Sequence, residues 1–361
     1  MSGNADDYEA AIKPASIDSV AAFAERKGFL ARLQHALHVN PALVPLFVLV
    51  ASIVLFGMLL GSKFFSPFAL TLILQQVQIV GIVAAAQSLV ILTAGIDLSV
   101  GAIAVLSSVI MGQFTFRYGV PVELAVILGL AFGTAIGAVN GWLVAVMKLP
   151  PFIVTLGMWQ IVLAANFLYS ANETIRSQEI EANAPLLQFL GSTFKVGADE
   201  TGRGGATFTF GVIAMALIFA VLAYVLSQTA WGRHIYAVGD DPEAAQLSGV
   251  NVKRTLISVY AVTGFICAIA GWALIGRIGS VSPTSGQLLN IESITAVVIG
   301  GISLFGGRGS IMGPLFGALI VGVFTLGLRL SGADAQWTFL LIGALIIGAV
   351  AVDQWIRKVS A

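Results

Sequence analysis

The stretch WGRHIYAVGDDPEAAQLSGVNVKR, residues 231–254, is a charged island between two long apolar runs. Inside it Asp241 is placed to cap a helix, Pro242 fits the first helical position, Glu243 suits the positive N-terminal end, and Gly249 suits a left-handed stop. These signals predict a short helix from Pro242 to Ser248, of about two turns. Such a helix is marginal alone in water, because nucleation costs more than a few hydrogen bonds return, so a partner protein is expected to hold it.

Outward from the island the chain turns strongly apolar. Its 361 residues are 58% hydrophobic and 10% charged, with a mean hydropathy of +0.95, against about 25% charged residues in ordinary soluble domains. This balance predicts an integral membrane protein. Apolar runs read against breakers give ten segments, at 42–60, 70–93, 98–114, 122–147, 152–169, 208–226, 256–275, 291–304, 311–330 and 337–352. Roughly 20 residues rising about 1.5 Å each span a hydrocarbon core of about 30 Å, which fits helices. A barrel would instead alternate in segments of about ten residues. The fold class is therefore all-α, with about ten transmembrane helices; the third and eighth segments are short or broken by glycine.

Zero formal net charge gives no sign of nucleic acid as a partner, and the single Cys267 excludes an intrachain disulfide. Residues 1–40 mix acidic and basic groups without the apolar core of a cleavable signal peptide, and read as a cytoplasmic extension. Within it 17–37 is either an amphipathic surface helix or a solvated tail. A cytoplasmic N-terminus places Lys148, Arg233, Lys253, Arg254, Arg308, Arg357 and Lys358 inside, so the positive-inside rule puts both termini in the cytoplasm. The organisation expected is a transmembrane domain at 41–352, with a long external loop at 171–206, a cytoplasmic loop at 228–254, and a tail at 353–361. The external loop is either a face for a delivery protein or a solvated connection.

Enzyme chemistry finds no foothold. His35, His38 and His234 lack Cys or carboxylate companions at metal-ligand spacing, and neither G-x-S-x-G nor a P-loop occurs. No metal or cofactor is expected on this chain, and transport is the expected role.

Polar groups at membrane depth are costly, so they belong to the protein interior or to a pathway. The second segment carries Gln75, Gln76, Gln78 and Gln87, with Gln75 and Gln78 on one helical face. Amides that both donate and accept suit sugar hydroxyls, but they equally suit pairing between helices. Asn140, Trp159, Gln160 and Asn166 are similar candidates. Two glycine-broken stretches, AGIDLSVG at 94–101 with Asp97 and IGGISLFGGRGS at 299–310 with Arg308, are pointers to sites in repeat-built transporters. Asp97 reads as a helix cap ahead of a solute contact. Glu292 opens the eighth segment on the outer side, where it either meets hydroxyls or favours the helix N-terminal end. Gly129, Gly133, Gly137 and Gly141 form a stripe for close helix approach, within the monomer or across a dimer.

Four stretches closely resemble one family, the membrane subunits of ribose-, fructose- and xylose-type ABC importers, with the fructose type nearest. They are LVILTAGIDLSVGAI at 89–103, NGWLVAVMKLPPFIVTLG at 140–157, GRHIYAVGDDPEAAQLSGVNV at 232–252 and AVVIGGISLFGGRGSIMGPLFGALI at 296–320. The resemblance implies a fold similar to vitamin B12 importers and a permease homodimer in the bacterial inner membrane. It implies two ATP-binding subunits below, carrying ATP and Mg, and a periplasmic sugar-binding protein above. It makes Asp240, Asp241, Pro242, Glu243, Ala244, Ala245 and Gly249 the coupling segment seated on the ATPase. Gln75, Gln78, Asp97, Asn140, Asn166 and Glu292 are the candidate pathway residues. A permease for branched-chain amino acids or nucleosides is the alternative within transport, and an ATP-independent channel or carrier is the alternative outside it.

Overall fold

The structure is a computed structural model that describes residues 42–197 and 205–358; the expected cytoplasmic extension lies outside the described residues. Helix α1 spans Leu43–Leu60, α2 Pro67–Leu92, α3 Val100–Tyr118, α4 Val122–Ala145 and α5 Pro151–Ser170. The stretch between α5 and α7 holds a short α6 at Ser177–Asn183, a 3-10 turn at Pro185–Gly191, and strands β1 at Thr193–Val196 and β2 at Ala206–Thr209. Then follow α7 Phe210–Gln228, α8 Ala230–Asp240, α9 Pro242–Leu247, α10 Val252–Ile278, α11 Leu289–Ile299, α12 Met312–Leu330 and α13 Ala335–Lys358.

Local signals place the ends. Ser66 caps α2 by accepting the Ala69 N–H at 3.1 Å, with Pro67 at the first position. Asn251 caps α10 by accepting the Arg254 N–H at 3.0 Å, and Gly279 ends it in the left-handed region. Eight of the described helices are long and apolar enough to cross a membrane. The third expected segment, short on paper, is a full helix in α3, whereas the eighth is only the 11-residue α11. At about 1.5 Å per residue α11 reaches about half the hydrocarbon thickness. Glycine 300 and 301 stop it, and the chain runs on as an irregular loop to 311. The last helix continues past the expected boundary at 352, so most of the tail at 353–361 is helical.

Helices α2, α3, α10 and α12 bury most of their surface, while α1, α4, α5 and α7 leave most of theirs exposed. Cys267 lies fully buried on α10. Lipid offers no hydrophobic drive for helices to associate, so close contact through small residues does the holding. The stripe on α4 does this inside the monomer. A Cβ on Gly133 would stand 2.7 Å from the Gly264 carbonyl, one on Gly141 2.8 Å from the Ile257 Cα, and one on Gly137 would run into the Tyr260 carbonyl. Gly129 packs in the same way against Met111 of α3.

Strands β1 and β2 pair antiparallel with Thr193 opposite Thr209 and Val196 opposite Ala206. Trp272 donates its indole N–H to the Leu186 carbonyl at 3.1 Å, and Gln188 donates to the Gly279 carbonyl at 2.8 Å. These bonds fasten the stretch to the C-terminal end of α10, so its 3-10 turn is packed structure rather than a solvated connection.

Candidate functional site

The island folds as its signals dictate. Thr229 caps α8 by accepting the Gly232 N–H at 3.2 Å, and the Trp231 indole donates to Ser258 Oγ at 2.8 Å, tying α8 to the start of α10. Asp241 Oδ1 accepts from the Glu243 and Ala244 N–H groups at 2.9 and 3.0 Å, which caps α9. Gly249 takes φ +89° after the helix, where a side chain would be strained. The helix ends one residue earlier than expected, with Ser248 as its cap rather than its last turn. Only Ala245 of α9 is buried, and Leu247 is 90% exposed.

Above this helix the island meets both glycine-broken stretches. Tyr236 donates its hydroxyl to the Gly309 carbonyl at 2.9 Å. Burial pushes that hydroxyl above the usual phenol range, so it remains a donor at neutral pH. Gly307 donates its N–H to the Leu92 carbonyl at 3.0 Å. Gly239 has no room for a Cβ, which would meet the Leu92 carbonyl and stand 2.6 Å from the Gly307 nitrogen. The end of α8 is therefore clamped between the last turn of α2 and the loop joining α11 to α12. Gly301, Gly306, Gly307 and Gly309 all have positive φ, so this loop follows a course that other residues would resist. Arg308 itself is exposed.

The pathway candidates separate into different surroundings. Gln78 is buried and accepts a hydrogen bond from the Thr209 hydroxyl, joining α2 to β2. Asp97 is fully buried and Oδ1 accepts from the Ser99 N–H at 2.7 Å and the Ser99 hydroxyl at 2.6 Å. Asn140 donates to the same Ser99 Oγ at 2.9 Å. Gln87, with its amide oriented to match, donates to the Asp97 carbonyl at 3.0 Å and accepts its N–H at 3.2 Å. This node stitches α2, the start of α3 and α4 together through Gln87, Asp97, Ser99 and Asn140, while Gln78 joins α2 to β2; Gln78 Nε2, Asp97 Oδ2 and Asn140 Oδ1 remain buried without a partner. Asn166 donates to the Pro283 carbonyl at 2.8 Å, and its own Oδ1 is buried without a partner. Gln75 and Glu292 are half-buried. Glu292 lies within electrostatic reach of Arg277, whose guanidinium donates to Gln76 at 2.5 Å.

The structure thus brings Asp97 and Asn140 together, and leaves Gln75, Asn166 and Glu292 apart from them. Sequence reasoning missed Tyr236, Gly239 and Arg277. The phenol inside a charged island was the signal for Tyr236; nothing local marked the other two.

A model described as "Branched-chain amino acid transport system / permease component" matches residues 69–350. The chain is 69% identical over 355 residues to the fructose import permease protein FrcC of Rhizobium meliloti, covering 98% of this chain and 97% of that one. It is 37% identical to the ribose import permease protein RbsC of Bacillus subtilis, covering 84% and 89%. It is 33% identical to the galactose/methyl galactoside import permease protein MglC of Escherichia coli, covering 81% and 88%. No solved structure matches. With most of its length matched and near relatives that are import permeases throughout, the chain belongs to this family of ABC-importer permease components and is a transport subunit, not an enzyme.

Proposed function

We propose that this chain carries a monosaccharide, fructose foremost, through the bacterial inner membrane as the permease of an ATP-driven importer. The observation that carries the reading is the 69% identity along 98% of the chain to a fructose import permease. The family description names amino acids, but the relatives above import fructose, ribose and galactose. Two permease copies would work with two ATP-binding subunits, which hold ATP and Mg, and with a periplasmic binding protein that delivers the sugar. The fold is taken to be of the vitamin B12 importer type, with α11 as a half-length member of ten apolar segments and with both termini in the cytoplasm.

In this scheme α9 seats on the ATPase. Its capped but otherwise exposed turns and its displayed Leu247 side chain support that role, since so short a helix gains from a partner. Residues Asp240 to Ala245 and Gly249 would make or shape the contact. When the ATPase pair closes on ATP, the motion of α9 passes through α8. The Tyr236–Gly309 bond and the Gly239 clamp then hand it to α2 and to the loop between α11 and α12.

Uptake of labelled fructose, ribose, xylose and leucine tests the reading in a strain lacking the chain and in the same strain complemented with it. Fructose uptake is expected to fall on deletion and return on complementation, with leucine uptake unchanged. Loss of leucine uptake, or undisturbed uptake of every sugar, would overturn it.

A further inference from the structure

The clamp gathers the last turn of α2 and the loop between α11 and α12 through backbone atoms at the island end. At the opposite end, charged side chains converge on the same helices. Arg277, in the last turn of α10, donates to Gln76 of α2 at 2.5 Å. Glu292 opens α11, Arg329 closes α12, and both lie within electrostatic reach of Arg277.

Helix packing fixes the level of this group independently of its charges. A Cβ on Gly313 of α12 would run into the Gly300 carbonyl, and one on Gly317 into the Ala296 carbonyl. Helices α11 and α12 therefore run antiparallel in close contact, and one further turn sets Glu292 beside Val321. Gly322, the next residue, packs on Val77 of α2. Val77 adjoins Gln76, so Glu292, Gln76 and the head of Arg277 share one level, about 24 Å along α2 from Leu92 in the clamp.

Charged groups on membrane helices are costly against lipid and belong to a water-filled path or to one another. Here their pairing is incomplete. Arg277 and Arg329 are exposed, and Glu292 and Gln76 half-buried. Among the described residues the Glu292 carboxylate makes no direct hydrogen bond or ion pair. Arg277 bonds instead to a neutral amide, with Glu292 attracting it and Arg329 repelling it. An exposed ion pair shifts an equilibrium by a factor of about five at most, which is too little for a staple but enough for a contact that closes and reopens in every cycle. Resting on the sugar-import reading, we propose that Arg277 and Glu292 are the two halves of a latch at the end of the path opposite the ATPase. In this structure the latch is held back, with Arg277 engaged by Gln76. On moving to Glu292 the guanidinium draws the end of α10 onto the start of α11 and closes the path behind the sugar. Arg329 opposes that movement by like charge, so the latch does not lock.

The test uses the whole transporter, with its ATPase and binding protein, in proteoliposomes. Arg277→Glu and Glu292→Arg each set like charges face to face. Either alone should lose most of its fructose uptake per ATP hydrolysed, and the two combined should return to within about twofold of the parent. A loss of packing at either position would not be restored by exchanging the charges. Dipolar broadening between spin labels on Ser280→Cys and Leu288→Cys then reads the gap between the end of α10 and the start of α11, against singly labelled controls. Broadening should fall in Glu292→Gln, which removes the attraction, and rise in Arg329→Gln, which removes the repulsion. Should the reversed chains fail to assemble, these two neutral variants decide by the sign of the change. A combined variant no better than its single parents, or broadening identical in the parent, Glu292→Gln and Arg329→Gln, would overturn the latch while leaving sugar import intact. Failure of the parent transporter to import any monosaccharide would instead overturn the reading beneath it.

Discussion

Tyr236 on α8 and Gly309 in the loop after α11 are joined by a hydrogen bond of 2.9 Å, the hydroxyl donating to the carbonyl across 73 positions of sequence. It is a polar tie between the charged island and the loop that joins α11 to α12. Tyr236→Phe keeps the ring and leaves the carbonyl unpaired. It should cost about 1 kcal/mol of stability and slow sugar uptake several-fold relative to ATP hydrolysis. Parallel assays of uptake and phosphate release check this; an unchanged ratio of the two would remove the bond from the transmission route.

Gly239 provides a steric counterpart. A methyl group there has the Leu92 carbonyl and the Gly307 nitrogen in its way, and both are backbone atoms that no rotamer change can move aside. Gly239→Ala should therefore part α8 from α2 and impair transport severely. Gly249→Ala meets open space and should cost only the strain of its positive φ, about 1 kcal/mol. Comparing thermal stability and uptake for the two variants separates loss of contact from loss of backbone freedom.

At α9 the cap and the contact surface are separable. Asp241→Ala removes the acceptor for two N–H groups and should weaken the helix by about 1 kcal/mol. Glu243→Arg and Leu247→Asp leave the cap in place and alter what the helix displays. Both should lower co-purification of the ATPase and uncouple hydrolysis from uptake, with membrane insertion of the permease preserved. Normal transport by Leu247→Asp would count against docking at this helix.

Gln78 and Gln75 share a helical face but differ in what they touch. Gln78 is paired with Thr209, so Gln78→Leu leaves that hydroxyl without its acceptor and should lower thermal stability, by about 1–3 kcal/mol. Gln75→Ala should leave stability within about 0.5 kcal/mol, as is usual for substitutions outside buried networks. Thermal unfolding in detergent reads both, and equal shifts would contradict the assignment of Gln78 to packing.

The topology has its own check. A thiol placed at 240 should resist a membrane-impermeant maleimide added to intact spheroplasts and react in inverted vesicles. Labelling from outside would reverse the orientation of every segment.

The apolar runs, the Asp241 cap and the left-handed Gly249 were readable because each is a local rule, acting within a few residues. The half-length of α11 was less so: glycines 300 and 301 suggested a break, but apolar residues continue to Leu304 and conceal where the helix stops. The roles of the amides were not readable, since their partners are distant. Gln78 meets Thr209 131 positions away, and Gln76 meets Arg277 201 positions away. A period of 3.6 says which residues share a face, not what the face meets. The glycine stripe gave the same difficulty, and only the opposing Gly264 on α10 shows that it closes a contact within one chain.

Cys267, the chain's only cysteine, lies sealed within α10. For an experimenter the native protein is thus already a dark background: any reporter attached through a newly introduced thiol will light up that position alone. Distances across the clamp of α8 can be followed during turnover without first stripping the sequence of reactive sulfur.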